Sequence, residues 1–252
     1  MARPEPLALR LDEVVRGRSV VLRALETSFA PCMIHAIVGP NGAGKSSLLR
    51  IIAGVDPARG SVRLGAEDLV RAKPSARARA VAWVPQAPAV PEGVSALHVV
   101  ALARAFRGEP ASVVLAHAAK ALERCGVAHL AERAFDELSA GQRQRVVLSR
   151  ALATEARVLL LDEPFAALDL GAALAMERLL VELAREGATV LVVVHDLAQA
   201  ARIAGRALVL ADGALVASGA PAEALSADVL ARVWGVRAED ATLTRFAPVE
   251  RP

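Results

Sequence analysis

Residues 39–46 read Gly-Pro-Asn-Gly-Ala-Gly-Lys-Ser and complete the pattern G-x-x-x-x-G-K-[ST]. In this pattern the glycines let backbone N–H groups turn toward phosphate oxygens, and the lysine brings a positive charge to them. An apolar run at residues 34–38 precedes the loop, and a helical pattern at residues 47–53 follows it and ends at Gly54. A helix that begins at such a loop favours an anion at its N-terminus. The stretch therefore predicts a strand, a phosphate-binding loop and a helix in succession.

Each residue of this stretch has an expected role in holding a nucleotide and its metal ion. The hydroxyl of Ser46 is the expected Mg²⁺ ligand, and the charge of Lys45 is expected at the β- and γ-phosphates. The predicted nucleotide-binding residues of the loop are Gly39, Pro40, Asn41, Gly42, Ala43, Gly44, Lys45, Ser46 and Ser47.

The composition of the 252 residues restricts the class of protein. Hydrophobic residues make up 54% of the chain, yet its apolar runs are strand-sized and fall short of the roughly 20 residues of a membrane helix. Residues 1–6 lack the apolar segment of a secretory leader. The net charge of +3 is spread along the chain without basic blocks, so we expect no nucleic-acid partner. Cys32 and Cys125 have no C-x-x-C partner, which favours reduced thiols in the cytosol.

The order of sequence patterns predicts an α/β fold with a mostly parallel sheet. Alternating residues at 7–30 indicate antiparallel strands, and residues 96–106 and 113–125 have helical periodicity. Strands are expected at residues 60–65, 81–86, 157–162, 189–195 and 207–210, and helices at 174–185 and 198–204. We therefore expect one domain, whose nucleotide-binding core comprises residues 1–90 and 154–252 and whose helical subdomain comprises residues 91–153.

Polar side chains follow three of the predicted strands. Asp162 and Glu163 end the run Leu159-Leu160-Leu161, His195 ends the run 189–194, and Gln86 follows the run 81–85. Ligands of parallel sheets lie beyond the carboxyl ends of the strands, so these side chains are expected beside the phosphate loop. Two acids can also simply solvate a strand end, a histidine can be a structural cap, and Pro-Gln alone indicates only a turn.

The chemistry of these residue types suits triphosphate hydrolysis. Asp162 is the expected second protein ligand of the Mg²⁺ bound by Ser46. Glu163 is predicted to orient or deprotonate the attacking water. An imidazole at His195 could bond the γ-phosphate, and Gln86 is a candidate ligand of Mg²⁺ or water.

A further motif supplies a family resemblance. Residues 138–142 read Leu-Ser-Ala-Gly-Gln and precede a helical run at residues 143–152, which resembles the signature of ATP-binding-cassette (ABC) ATPases, usually Leu-Ser-Gly-Gly-Gln. The resemblance covers essentially the whole chain, because six motifs stand in the family's order. They are the phosphate loop, Gln86 as the Q-loop, the signature, Asp162-Glu163 as Walker B and catalytic glutamate, Ala167-Leu168-Asp169 as the D-loop, and His195 as the switch histidine.

The resemblance implies a RecA-like P-loop core, an N-terminal antiparallel β subdomain and an inserted α-helical subdomain. It also implies a homodimer in which each ATP lies between the phosphate loop of one subunit and Ser139, Gly141 and Gln142 of the other. ATP and Mg²⁺ are the implied cofactors, with Glu163, His195 and Gln86 as catalytic residues.

Three departures from the family pattern bear on this expectation. Ala140 replaces a signature glycine, which requires a φ that a Cβ tolerates. Cys32 follows Pro31 where the family usually has Pro-Gly, so a positive φ there would strain the turn. The segment before the loop has no aromatic residue to stack on adenine, and we expect the guanidinium of Arg16 to take that place.

The class of ABC ATPase is open at the level of sequence. Residues 219–236 are similar to the tail of cassettes that serve bacterial importers of iron-siderophore, haem or cobalamin. That reading implies separate integral-membrane permease subunits, an indirect link to a substrate-binding protein, and a peripheral position at the cytoplasmic face of the inner membrane. The alternatives are an exporter ATPase and a soluble ATPase of DNA repair or the ribosome.

Overall fold

A largely parallel sheet forms the centre of the computed structural model, which describes residues 5–88, 90, 92–240 and 242–248. Residues 1–4 lie outside the described residues. They form part of the segment, residues 1–6, in which we expect no secretory leader. In spatial order the strands of the sheet are β12 (Ala214–Gly219), β11 (Arg206–Ala211), β5 (Met33–Val38), β10 (Thr189–Val193), β9 (Val158–Asp162) and β8 (Val81–Val84). All neighbours are parallel except β11 and β12. The predicted fold class is confirmed.

The two middle strands β9 and β10 are buried along their whole length. Their Val and Leu residues face helices on both sides, as continuous apolar strands of parallel sheets do. In the register of the sheet, Asp162 pairs with Val193 of β10, and Val193 pairs with Ile37 of β5. The carboxyl ends of β5, β9 and β10 therefore meet at one edge.

The N-terminal antiparallel strands are also confirmed. They form a sheet of β4 (Leu25–Phe29), β1 (Leu7–Leu11), β6 (Gly60–Leu64) and β7 (Glu67–Asp68), and a hairpin of β2 (Val14–Arg16) and β3 (Ser19–Leu22). Strand β1 alternates buried and exposed side chains, because one face of this sheet packs on the core and the other meets solvent.

Helices pack around these sheets. They are α1 (Lys45–Ile52), α2 (Pro74–Ala80), α3 (Ala96–Ala101), α4 (Ala111–Arg124), α5 (Ala140–Ala153), α6 (Leu170–Arg185), α7 (Leu197–Ile203), α8 (Pro221–Ala224) and α9 (Ala227–Trp234). Of these, α1, α4, α5, α6 and α7 overlap the segments that the periodicity predicts to be helical. A final pair of strands follows, β13 (Val236–Ala238) and β14 (Phe246–Pro248). No helix among the described residues is long and apolar enough to cross a bilayer.

One predicted helix is wrong in its second half. The pattern at residues 96–106 is α-helical only to Ala101, after which Leu102–Arg107 form a 3₁₀-helix. The side chain of Arg104 is 2% exposed there and binds the carboxylate of Glu109 with bonds of 2.7 and 2.6 Å. It also donates to the carbonyl of Ala153 at 2.8 Å. The tighter turn accompanies these bonds, which the apolar periodicity of the segment does not encode.

Smaller differences concern element ends. Helix α6 begins at Leu170 rather than at residue 174, because Asp169 caps it by accepting a hydrogen bond from the N–H of Ala172 at 2.8 Å. Strand β10 ends at Val193, so His195 lies in the following loop rather than in the strand. The predicted boundary at residues 90 and 91 between core and helical subdomain stays a prediction.

Candidate active site

The phosphate loop connects β5 to α1 and depends on glycine at two crowded positions. At Gly39, with φ +150°, a Cβ would lie 2.0 Å from the carbonyl oxygen of Leu210. At Gly44, with φ +94°, a Cβ would lie 2.6 Å from the side chain of Leu22. A side chain at either position would therefore displace the loop from the core, which explains why the loop pattern requires these glycines.

Lys45 is buried at the centre of the loop. Its Nζ donates to the carbonyl oxygens of Gly39 and Pro40, both at 2.8 Å, and its amine carries a third donor. Burial lowers the pKa of Lys45, while the carboxylates of Glu163 and Asp162 partly offset that effect. The lysine thus links its own end of the loop to the loop's first two residues.

Ser46 and Asp162 come together across 116 positions of sequence, as predicted. The hydroxyl of Ser46 donates to Oδ1 of Asp162 at 2.9 Å. Burial raises the pKa of the Asp162 carboxyl, the hydrogen bond from Ser46 opposes that rise, and the negative charge of Glu163 adds to it. The oxygens of Ser46 and Asp162 are ligands of the kind that a hard cation such as Mg²⁺ prefers, and the carboxylate of Glu163 adds negative charge nearby.

The carboxylate of Glu163 is held from both sides. Nε2 of Gln86 donates to its Oε2 at 2.8 Å, and Nε2 of His195 lies 2.6 Å from its Oε1. The three predicted catalytic residues, which follow three different strands, therefore lie in contact with one another. Gln86 contacts Glu163 here and makes no recorded hydrogen bond to Ser46 or Asp162, so its role as a metal ligand stays a prediction.

The backbone of Glu163 is left-handed, with φ +51°, directly before Pro164. A non-glycine residue in this region costs roughly 1–2 kcal/mol, and such outliers cluster at functional sites. The side chain is 17% exposed, so the turn holds a carboxylate at the edge of the site where water reaches it.

The signature residues lie on the helical side of the chain. Ser139 caps α5 by accepting a hydrogen bond from the N–H of Gln142 at 3.3 Å, and the Gln142 amide oxygen accepts from the N–H of Ser139 at 3.0 Å. Ala140 is the first helical residue, so its Cβ is tolerated. Gly141 faces the D-loop, since a Cβ there would lie 3.2 Å from the carbonyl oxygen of Ala167. No recorded hydrogen bond among the described residues joins this group to the phosphate loop of the same chain.

Comparison with known proteins gives the family. The model of the ABC transporter family matches residues 22–166, which is more than half of the chain and includes the phosphate loop, the signature and Glu163. The chain belongs to the ABC transporter family. This cassette therefore binds ATP or ADP and is an ATPase, as its motif order predicts.

Relatives of the cassette include importer subunits. It is 42% identical to the hemin import ATP-binding protein HmuV of Myxococcus xanthus, over 92% of this chain and 91% of the relative. It is 36% identical to the ferric enterobactin transport ATP-binding protein FepC of Escherichia coli, over 88% of this chain and 84% of the relative.

Solved structures of cassettes share the fold. A dimeric post-hydrolysis state of the cassette MJ0796, bound to ADP and Pi, matches with a TM-score of 0.78 at 26% identity, over 86% of this chain and 98% of that one. The cassette MJ1267 in its ADP conformation matches with a TM-score of 0.79 at 25% identity, over 91% and 97% of the two chains.

Sequence reasoning missed one group of charged residues at the C-terminal end of α1. Arg16, the expected substitute for an aromatic residue, contacts the carboxylate of Asp56, which also receives two hydrogen bonds from Arg50. Asp56 follows Gly54 in an ordinary-looking turn, and nothing in the local sequence links it to a residue 40 positions earlier.

Proposed function

We propose that this cassette is the ATP-hydrolysing subunit of an importer that carries haem or a related iron chelate across the cytoplasmic membrane. The observation that carries this cargo assignment is the similarity to a hemin import ATP-binding protein over 92% of the chain. The relative named for ferric enterobactin supports the wider class of iron chelates. Cobalamin, which the C-terminal resemblance also implies and which contains cobalt rather than iron, is the third candidate cargo.

In the proposed reaction, Glu163 accepts the proton of the water that attacks the γ-phosphate. His195 and Gln86 each hold one of its carboxylate oxygens, which orients the base toward the phosphate loop. Each oxygen keeps a second lone pair, so the carboxylate can accept the proton of the water while both contacts persist. The imidazole of His195 can in addition bond the γ-phosphate.

Ser46 and Asp162 are the proposed protein ligands of Mg²⁺, because their oxygens lie 2.9 Å apart at the start of α1. When bound, this ion neutralises charge that develops on the transferred phosphate. Lys45 is proposed to exchange one carbonyl contact for a phosphate oxygen. Ser47 and the backbone N–H groups of residues 39–46, except Pro40, which has none, are proposed to bind the remaining phosphate oxygens.

We further propose that two cassettes form a homodimer around two nucleotides. The Ser139 hydroxyl and the N–H groups of Gly141 and Gln142 stand at the N-terminus of α5, which suits a γ-phosphate of the partner subunit. A cassette of this kind acts on the cytoplasmic face of the membrane, bound to integral-membrane permease subunits that receive cargo from a substrate-binding protein.

Growth on a defined iron source tests the cargo. The gene is deleted in the native host, and growth is measured with haem, ferric siderophore or ferrous salt as the iron source, and with and without cobalamin in a cobalamin-dependent medium. We expect loss of growth on haem, restored by the wild-type gene and not by Lys45→Ala. Normal growth on haem with a defect confined to siderophore or cobalamin would reassign the cargo.

A further inference from the structure

A buried carboxylate joins helices α6 and α7. Glu177 lies in α6, and both of its oxygens accept hydrogen bonds from α7. Oε1 accepts from Nε2 of Gln199 at 2.8 Å and from Nη2 of Arg202 at 2.7 Å, and Oε2 accepts from Nε of Arg202 at 3.1 Å. Burial opposes the charge of Glu177, yet these donors hold the pKa of its carboxyl below the usual value. The carboxylate is therefore charged at neutral pH and binds α7 through charge-assisted hydrogen bonds.

Helix α7 is short and has two separate sets of contacts. Its apolar side, formed by Leu197, Ala200 and Ile203, is buried in the core. Its polar side carries Gln199 and Arg202, which both bind the carboxylate on α6. A helix of seven residues is marginal by itself, so its orientation depends on such tertiary contacts.

The loop that carries His195 is tied directly to the start of α7. Only Val194, His195 and Asp196 separate β10 from this helix. The N–H of Val194 donates to the carbonyl of Ile37 at 3.2 Å, which fixes one side of the loop to the sheet. Asp196 caps α7 by accepting a hydrogen bond from the N–H of Ala198 at 2.9 Å, which fixes the other side to the helix. His195 lies between these two anchors.

The imidazole of His195 depends on this backbone for its position. Its side chain is 47% exposed, and its Nε2 lies 2.6 Å from Oε1 of Glu163. A half-exposed side chain has few packing contacts of its own, so the backbone that carries it sets its place. A rotation of α7 would therefore move the imidazole away from Glu163 and from a γ-phosphate at the loop.

We propose that Glu177 is a positioning residue for ATP hydrolysis, which places His195 beside Glu163 by holding α7 to α6. Glu177 acts on the reaction through α7, because its hydrogen bonds go to Gln199 and Arg202 and not to the reacting atoms. The inference rests on the role of His195 in hydrolysis that is part of the proposed function.

A double-mutant cycle with His195 tests this proposal. Glu177→Met removes the three hydrogen bonds at a similar side-chain length, and phosphate release is measured in the wild-type and His195→Ala backgrounds. We expect Glu177→Met to lower kcat about tenfold in the wild type and to leave the KM for ATP within about twofold, because the phosphate ligands are unchanged. His195→Ala alone should lower kcat by about 10²-fold. In that background Glu177→Met should change kcat by less than about twofold, because the side chain that it positions is absent.

Arg202→Met and Glu109→Met complete the design. Arg202 is half-exposed, so Arg202→Met removes two of the three hydrogen bonds at a tolerant position and should lower kcat about threefold, again only where His195 is present. Glu109→Met removes the two hydrogen bonds to the buried Arg104 just before α4 and should leave kcat unchanged in both backgrounds. Thermal unfolding above the assay temperature shows that each variant is folded. If Glu177→Met does not fold, the same cycle with Arg202→Met decides the question.

Two results would overturn the proposal while leaving the proposed function in place. One is an unchanged kcat of Glu177→Met together with a clear loss in His195→Ala. The other is the same fold-loss from Glu177→Met in both backgrounds, which would show that Glu177 does not act through His195. If His195→Ala alone leaves kcat unchanged, the proposed role of His195 fails and this inference fails with it.

Discussion

At the scale of single residues, the carboxylate of Glu163 joins three strand ends. Gln86 and His195 contact its two oxygens, so a substitution of Glu163 tests the hydrolysis site while Ser46 and Asp162, the proposed metal ligands, keep their side chains. The left-handed backbone conformation of Glu163 is unfavourable for a residue with a Cβ, and it accompanies the placement of the carboxylate at this edge of the sheet.

Replacement of Glu163 by glutamine is expected to reduce the rate of ATP hydrolysis by about 10²–10⁴-fold, because an amide cannot accept the proton of the attacking water. Nucleotide binding should stay within about twofold, since the predicted phosphate ligands are unchanged. Phosphate release and calorimetry measure the two properties. Glu123→Gln, at an exposed position of α4, is the matched control. Unchanged turnover would remove Glu163 from its assigned role.

Cys32, like Glu163, has a backbone conformation that its side chain disfavours. It follows Pro31 with φ +58°, in the left-handed region that favours glycine. Cys32→Gly should raise the free energy of unfolding by about 1 kcal/mol, because the Cβ penalty of the left-handed region disappears. Cys32→Ser retains the penalty and should change stability little. Thermal unfolding of both variants measures the difference, and equal stability would mean that the turn bears no strain.

At the scale of elements, helix α5 connects stability to function through its first turn. Ser139 and Gln142 satisfy each other's backbone N–H groups, which stabilises the start of the helix while the same groups are proposed to meet the partner's nucleotide. Helix α3 begins with a similar cap, in which Ser95 accepts a hydrogen bond from the N–H of His98.

Substitution of these two capping serines distinguishes a loss of helix stability from a loss of contact with the nucleotide. Ser139→Ala and Ser95→Ala should each lower the free energy of unfolding by about 1 kcal/mol, the usual value of a serine cap. Only Ser139→Ala should also reduce ATP-dependent dimerisation and turnover. Chemical denaturation, light scattering and phosphate release measure these properties. If both variants lose dimerisation equally, the effect reports helix stability and not contact with nucleotide.

At the scale of the whole molecule, a large apolar side chain next to the D-loop is exposed to solvent. Leu170 is 76% exposed at the start of α6, next to Asp169 and near the exposed residues Ala166 and Ala167. A solved cassette of the same fold is dimeric with ADP and Pi bound. We therefore expect Leu170 to become buried when two cassettes close.

Substitution of Leu170 by aspartate should prevent dimerisation of the Glu163→Gln protein with Mg–ATP, because a charge would be buried at the interface. ATP binding by the monomer should persist. Leu102→Asp is the matched control, since Leu102 is 61% exposed on the helical side of the chain. Size-exclusion chromatography with ATP measures the dimer, and a normal dimer of the Leu170 variant would contradict the proposed mode of assembly.

The sequence by itself determined the fold class, the phosphate loop and the order of the catalytic residues. These features are local. The strands follow from the periodicity of short segments, and the residue types at 39–46 and 138–142 indicate phosphate-binding motifs without knowledge of tertiary contacts. The end of β10 before His195 and the 3₁₀-helix around Arg104 were not predictable. His195 contacts Glu163 and Arg104 donates to the carbonyl of Ala153, and both partners come from other parts of the chain.

Only the tertiary structure decided which polar groups meet. The bond between Ser46 and Asp162 spans 116 positions and that between Gln86 and Glu163 spans 77, yet the edge of a parallel sheet made both pairs foreseeable. The contact of Asp56 with Arg16 did not follow from any rule of sheet topology, because Asp56 lies in a turn after α1 and Arg16 lies in the β2–β3 hairpin. A hydrogen bond between separate layers depends on how the layers pack, and that packing is a property of the whole core rather than of any one segment.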